Sequence, residues 1–181
     1  MTRQGIITVA LEILGTEGLG KVTMRRIAAA LDTGPASLYV YIKDTEDLHA
    51  QILDALLVSL SLGDGTQGTW RDRLKQLLKR YMRVLFDHPE IARMAMSTLP
   101  SGPNYMALAE AILALVKEGG VPDREAAWAI DLLLLFVTAH AVEHSNWDRS
   151  TRAANAFSAL TTAIINADNQ TYPNIARLGP E

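Results

Sequence analysis

Apolar positions recur with the period of an α-helix almost from end to end of this chain, and no alternating run of five or more residues reads as a strand. Ile6, Val9, Ala10, Ile13 and Leu14 stack on one helical face that ends before Glu17-Gly18-Leu19-Gly20. Thr23 stands where an N-cap is needed, and Met24, Ile27, Ala28 and Leu31 follow at i, i+3, i+4 and i+7. Asp32-Thr33-Gly34 is a tight turn, and Pro35 suits the first position of a short third helix that Leu38 and Ile42 would pin to the core. Asp44-Thr45-Glu46-Asp47 supplies a cap and dipole-complementing acids to a fourth helix, whose inward stripe is Leu48, Ile52, Ala55 and Leu56.

The composition shifts at Ser61-Leu62-Gly63-Asp64-Gly65-Thr66-Gln67-Gly68, a glycine-rich connection that predicts two domains, residues 1–60 and 61–181. Beyond it, Leu74, Leu77, Leu78, Tyr81 and Leu85 mark a helix stopping near Asp87-His88-Pro89. A short helix spans Glu90 to Leu99, another Asn104 to Glu118, a long one Pro122-Asp123 to Trp147, and a last one Ser150-Thr151 to Asp168. The expected fold class is all-α, with about nine helices. The most apolar stretch, 126–142, is interrupted by Asp131, Thr138 and His140, and reads as a buried helix rather than a membrane span.

Lys and Arg number 17 against 20 Asp and Glu, for a formal charge of −3, so no global field favours nucleic acid. Between Lys21 and Lys43, however, Lys21, Arg25, Arg26 and Lys43 oppose Asp32 alone, a local balance of +3. Phosphate contact needs positive potential only at the contact surface. The first three helices have helix-turn-helix proportions, and with Leu38 and Ile42 turned inward, Ser37, Tyr39, Val40 and Tyr41 are expected to face outward. Cysteine is absent, which excludes disulfides, thiolate metal sites and cysteine nucleophiles and fits a reducing cytoplasm.

Val22-Thr23-Met24-Arg25-Arg26-Ile27-Ala28, then Gly34-Pro35-Ala36-Ser37-Leu38-Tyr39-Val40-Tyr41-Ile42 and Leu48, resembles the DNA-binding domain of TetR-type transcriptional regulators. The resemblance is specific over about residues 3–56 and one of helical architecture thereafter. It implies a homodimer that binds a palindromic double-stranded DNA operator, represses nearby genes, and releases DNA when a small molecule fills the C-terminal domain. Carried over by position, Thr23 would hold a phosphate through its hydroxyl and the helix start, with Arg25 and Lys43 adding charge. Thr33, Gly34, Pro35, Ala36 and Ser37 would lie along the major groove, Tyr39 and Tyr41 on phosphates, and Val40 on a thymine methyl. Two positions depart from the family pattern: Asp32 stands where a glycine is usual, and Thr45 where a lysine opens the fourth helix.

In the C-terminal half, Tyr81, Phe86, Met94, Tyr105, Trp128 and Phe136, with His140 and Glu143 as polar anchors, suit a largely apolar effector pocket. Helices 126–147 and 151–166 are expected to pair across a dimer as a four-helix bundle. The basic run Arg71, Arg73, Lys75, Lys79, Arg80 and Arg83 surrounds its helix and reads as a solvated face. His140-Ala141-Val142-Glu143-His144 matches a zinc-hydrolase pattern in form, but the only acids downstream are Asp148, Asp168 and Glu181, none well placed as a further ligand. Neither an enzyme activity, a cofactor, a metal nor a membrane partner is expected. The rival readings are a helical small-molecule binder that has lost DNA binding, favoured by Asp32, Thr45 and the weak overall charge, and a metal-dependent hydrolase built on His140, Glu143 and His144.

Overall fold

The computed structural model describes residues 1–60, 62, 67–96, 98, 100–147 and 151–178, and all of its regular structure is helical. Helix α1 (Arg3–Glu17) starts at Thr2, whose hydroxyl accepts from Gly5 N, and ends at Gly18. Gly18 adopts φ 83°, which its lack of a Cβ permits, and its N–H closes onto Leu14 O. Helix α2 (Met24–Ala30) is capped by the Thr23 hydroxyl and is followed by α3 (Pro35–Leu38), with Gly34 as cap and Pro35 in its first turn. Helix α4 (Thr45–Leu56) opens at Asp44, whose carboxylate accepts from Asp47 N.

The helices after the connection are α5 (Trp70–Asp87), α6 (Pro89–Ala95), α7 (Pro103–Glu118), α8 (Asp123–Trp147), α9 (Thr151–Ile165) and α10 (Pro173–Leu178). Thr69 and Asp72 form a reciprocal capping box on α5. Helix α6 is described as closing at Ala95, and Leu99, where the sequence suggests its end, lies outside the described residues. The glycine-rich connection falls largely outside the described residues, as do Asp148 and Ser150.

Two compact units emerge, Met1–Val142 and Glu143–Glu181. In the first, Ile6, Ala10, Ile27, Leu38, Ile42, Leu48 and Ile52 are buried together, while Tyr81, Leu85, Ile91, Leu108 and Ile112 fill the space among α5, α6 and α7. Helix α4 packs on α1, α6 and α7, so among the described residues it connects the N-terminal helices to those that follow. In the second unit α9 and α10 meet through a turn in which Thr171 N donates to Asp168 Oδ2 at 2.7 Å.

The expectation that 126–142 is a buried helix needs correction. Helix α8 buries Ala126, Leu134, Val137 and Ala141, but leaves Trp128 and Phe136 each 65% exposed, along with Leu132. It is long and apolar enough to cross a membrane by length and composition alone. The packed residues lie on one side of the helix, and the stripe 128-132-136 is exposed. Helix α9 similarly exposes Phe157, Leu160, Ile164 and Ile165.

Candidate DNA-binding surface and effector cavity

The turn between α2 and α3 is built by backbone geometry. Thr33 N donates to Ala28 O at 3.0 Å and Asp32 N to Ala29 O at 3.3 Å, the pair of bonds that closes a helix through one left-handed residue. That residue is Asp32, at φ 49°, the only non-glycine described with a positive φ. Aspartate tolerates this region better than most residues, which explains how it replaces a glycine here.

Leu38 and Ile42 are 0% exposed and fix α3, whereas Tyr39 and Val40, between them, are 56% and 78% exposed. Gly34, Pro35, Ala36 and Ser37 are also exposed, and Thr33 is half-buried beside them. Gly34 has φ −82° and ψ 145°, and a Cβ there would meet nothing within 4 Å. Neither its backbone nor the packing of the chain therefore requires glycine. Close approach of an outside partner would.

Tyr41 departs from expectation. It is half-buried against the core, and its phenol donates to Met1 O at 3.0 Å, a partner 40 residues away in the chain. Its orientation tethers the N-terminus instead of pointing outward with Tyr39. The local charge is also weaker than the sequence count, since Arg26 Nη2 pairs with Glu17 Oε1 at 2.6 Å. This bond holds the Glu17 carboxyl below its ordinary range and leaves Lys21, Arg25 and Lys43 as the remaining exposed cations of the four. The Thr23 oxygen accepts from Arg26 N at 3.1 Å, which leaves its hydroxyl hydrogen to donate elsewhere.

The second feature is a cavity of about 260 Å³ framed by α5, α6, α7 and α8. Of the sequence-proposed effector residues, Tyr81 and Tyr105 line it; Phe86, Met94, Trp128, Phe136, His140 and Glu143 do not. Met94 packs against the core. Trp128 and Phe136 sit on the outer stripe of α8, where His140 stacks on Phe136 at 5.9 Å and tilts toward Phe86 at 6.3 Å. Glu143 is exposed. Large apolar residues satisfy a core, a cavity or an oligomer seam equally well, so their type alone could not assign them.

The polar groups that do line the cavity are Thr98, Asp131 and Thr138, beside the two tyrosines. Asp131 and Thr138 are the very residues that interrupt the apolar run of α8, a signal that pointed to them. The Tyr81 hydroxyl lies 3.2 Å from Thr138 Oγ1, and burial pushes its pKa up to about 12, partly offset by that bond. Burial, then the charge of Asp131, raises Tyr105 as well. Thr98 Oγ1 is buried with no partner.

A third arrangement was not read from the sequence. Asp54, on α4 and 8% exposed, accepts from Asn104 Nδ2 and from Tyr105 N, both at 2.9 Å, at the start of α7. An ideal Cβ on Gly102 would sit 2.2 Å from this carboxylate, so glycine is required there by space. The side chain of Tyr105 lines the cavity while its backbone holds α4. Among the described residues no group of three or more His, Cys, Asp or Glu could hold a metal ion.

Residues 6–52 match the bacterial regulatory proteins of the tetR family, and residues 62–181 match the tetracyclin repressor-like C-terminal domain. An HTH-type transcriptional regulator of Saccharopolyspora erythraea is 28% identical over 176 residues, covering 97% of this chain and 74% of its own length. A crystallised Streptomyces transcription regulator is 43% identical with a TM-score of 0.74, covering 98% of this chain and 82% of that one. The Streptomyces coelicolor TetR family protein ActR, in complex with actinorhodin, is 32% identical with a TM-score of 0.77, covering 99% and 84%. Such regulators are generally non-enzymatic transcription factors that bind DNA operators and small-molecule effectors. With both of its halves matched and its helical order shared, the chain belongs to the TetR family of transcriptional regulators.

Proposed function

We propose that this regulator is a homodimeric repressor that grips a palindromic operator through α3 and lets go when an effector occupies the cavity framed by α5–α8. The observation that carries the DNA half is the split within α3: Leu38 and Ile42 are locked into the core while Tyr39 and Val40 stand in solvent. Exposing a tyrosine and a valine side by side is unfavourable unless a partner covers them. Duplex DNA offers phosphates to the phenol and thymine methyls to the valine. Gly34, Pro35, Ala36 and Ser37 give the close approach, with Thr33 beside them, while Thr23, Arg25 and Lys43 supply phosphate contacts at the edges. Tyr41 serves by fixing the arm at Met1, and its phenol oxygen remains able to meet a phosphate.

The stripe of Trp128, Leu132 and Phe136 on α8 and that of Phe157, Leu160 and Ile164 on α9 support the dimer. Each is an apolar helical face of the kind that pairs in a four-helix bundle. Two recognition helices would then stand about 34–36 Å apart, one turn of B-DNA. The protein works on cytoplasmic DNA in this reading. A solved relative in complex with a small molecule, ActR with actinorhodin, supports an effector for this chain. The link between the two functions is Asp54, which ties α4 to the segment of α7 whose Tyr105 faces the cavity.

The test is selection of bound duplexes from a random pool with full-length protein at two salt concentrations. An enriched palindrome whose binding weakens steeply with salt is expected. Dimeric, ligand-free protein that enriches no sequence at low salt would overturn the operator reading in favour of a helical small-molecule binder.

A further inference from the structure

The cavity that the preceding reading assigns to the effector has a charge asymmetry that narrows the ligand. Its walls are mostly apolar, with Ile130, Leu134 and Leu135 from α8 facing Ala95 and Met96. Asp131 lies on the same side of α8 as Leu135 and Thr138 and borders the same space. Among the described residues, no Lys, Arg or His lines the cavity and no ion pair involves Asp131. The Tyr81 hydroxyl is occupied by Thr138, but Thr98 Oγ1 is buried without a partner. The site thus holds a solvent-reachable carboxylate, with no cation beside it, at the border of an apolar space.

From this we infer that the effector is an organic cation, an apolar body carrying a protonated amine that pairs with Asp131. An anion of the same shape would bring a like charge against Asp131 and lose its hydration with no cation to replace it. A neutral molecule would fill the walls and leave Asp131 without a charged partner. Because Asp131 is exposed, solvent screens the pair and limits the discrimination to about tenfold rather than the far larger ratio of a dry site.

The inference rests on the cavity being the effector site, and its test separates the two. Three naphthalene probes of nearly equal size, 2-(2-naphthyl)ethylamine, 2-(2-naphthyl)ethanol and 2-naphthylacetate, are titrated calorimetrically into full-length protein at pH 7. The amine is expected to bind about tenfold more tightly than the carboxylate, with the alcohol between them. Asp131→Asn should bring all three within about twofold, weakening the amine and strengthening the carboxylate. A carboxylate that binds wild-type protein as well as the amine, or a preference that survives Asp131→Asn, overturns the charge assignment while leaving the cavity intact as a site. Ala109→Trp, which fills the cavity from α7, should abolish binding of every probe with helix content retained. Binding unaffected by that variant, or no binding of any probe to wild type, overturns the effector-cavity reading itself.

Discussion

Asp54 offers a direct test of how the two halves of the protein are joined. Its carboxylate receives Asn104 Nδ2 and Tyr105 N at 2.9 Å, and only 8% of the residue is exposed. Hydrogen bonds to a charged group contribute about 1.5–3 kcal/mol each. An open groove lined by Arg3, Gln4, Gln51 and Ser101 runs alongside and would let water reach the freed donors, which favours the lower figure. Asp54→Ala should therefore cost about 3 kcal/mol, a fall in Tm of roughly 6–12 °C for a chain of this size. Asp54→Asn keeps an acceptor for Tyr105 N, and Asn104 can turn its amide to meet the new one, so about 1–1.5 kcal/mol is expected.

Gly102→Ala attacks the same contact from the other side, by driving a methyl group into the carboxylate. Urea unfolding at fixed protein concentration, followed by circular dichroism, measures all three variants. A double-mutant cycle between Asp54→Ala and Asn104→Ala should give a coupling energy of about 1 kcal/mol or more. Operator and effector binding should each persist in Asp54→Asn, while the effector loses much of its power to release DNA, where allosteric couplings are typically about 1–3 kcal/mol. If Asp54→Ala lies within about 0.5 kcal/mol of wild type, or the cycle is additive to that margin, Asp54 does not hold α4 to α7.

Three further outcomes follow from other parts of the molecule. Tyr81 ionises at about 12 in the folded chain against an ordinary 10, so its contribution is complete below pH 10 and lost as pH rises from 10 to 12. The loss amounts to about 2–3 kcal/mol, and alkaline unfolding of Tyr81→Phe should show a correspondingly shallower fall than wild type. Gly119→Ala places a methyl carbon 2.4 Å from the Trp70 indole and should destabilise the α5–α7 contact by about 1–3 kcal/mol, visible as altered tryptophan emission and a lower denaturation midpoint. Asp32→Gly relieves a left-handed residue and removes a negative charge beside α3, so it should stabilise by up to about 1 kcal/mol and tighten operator binding. Unchanged affinity in Asp32→Gly, measured by fluorescence anisotropy at low salt, would count against DNA lying along that turn.

The N-terminal half was legible because its determinants are local. Thr23, Gly34, Pro35 and Asp44 act on backbone groups within a few residues, and Leu38 and Ile42 lie one helical turn apart, so caps and periodicity define the elements before any tertiary contact forms. Tyr41 was misplaced because its partner, Met1 O, lies 40 residues away and leaves no trace in the local pattern. The same limit applies more strongly to the cavity. Sequence alone determined that α8 is apolar and helical and that Asp131 and Thr138 interrupt it. Only the tertiary structure decided that one side of the helix meets the core, that the side carrying those two residues borders a cavity, and that Trp128, Leu132 and Phe136 face outward. The reason is that hydrophobic burial is non-directional: an apolar side chain gains from losing water against any surface, whereas a cap, a left-handed turn or a buried carboxylate is satisfied by particular atoms in particular places.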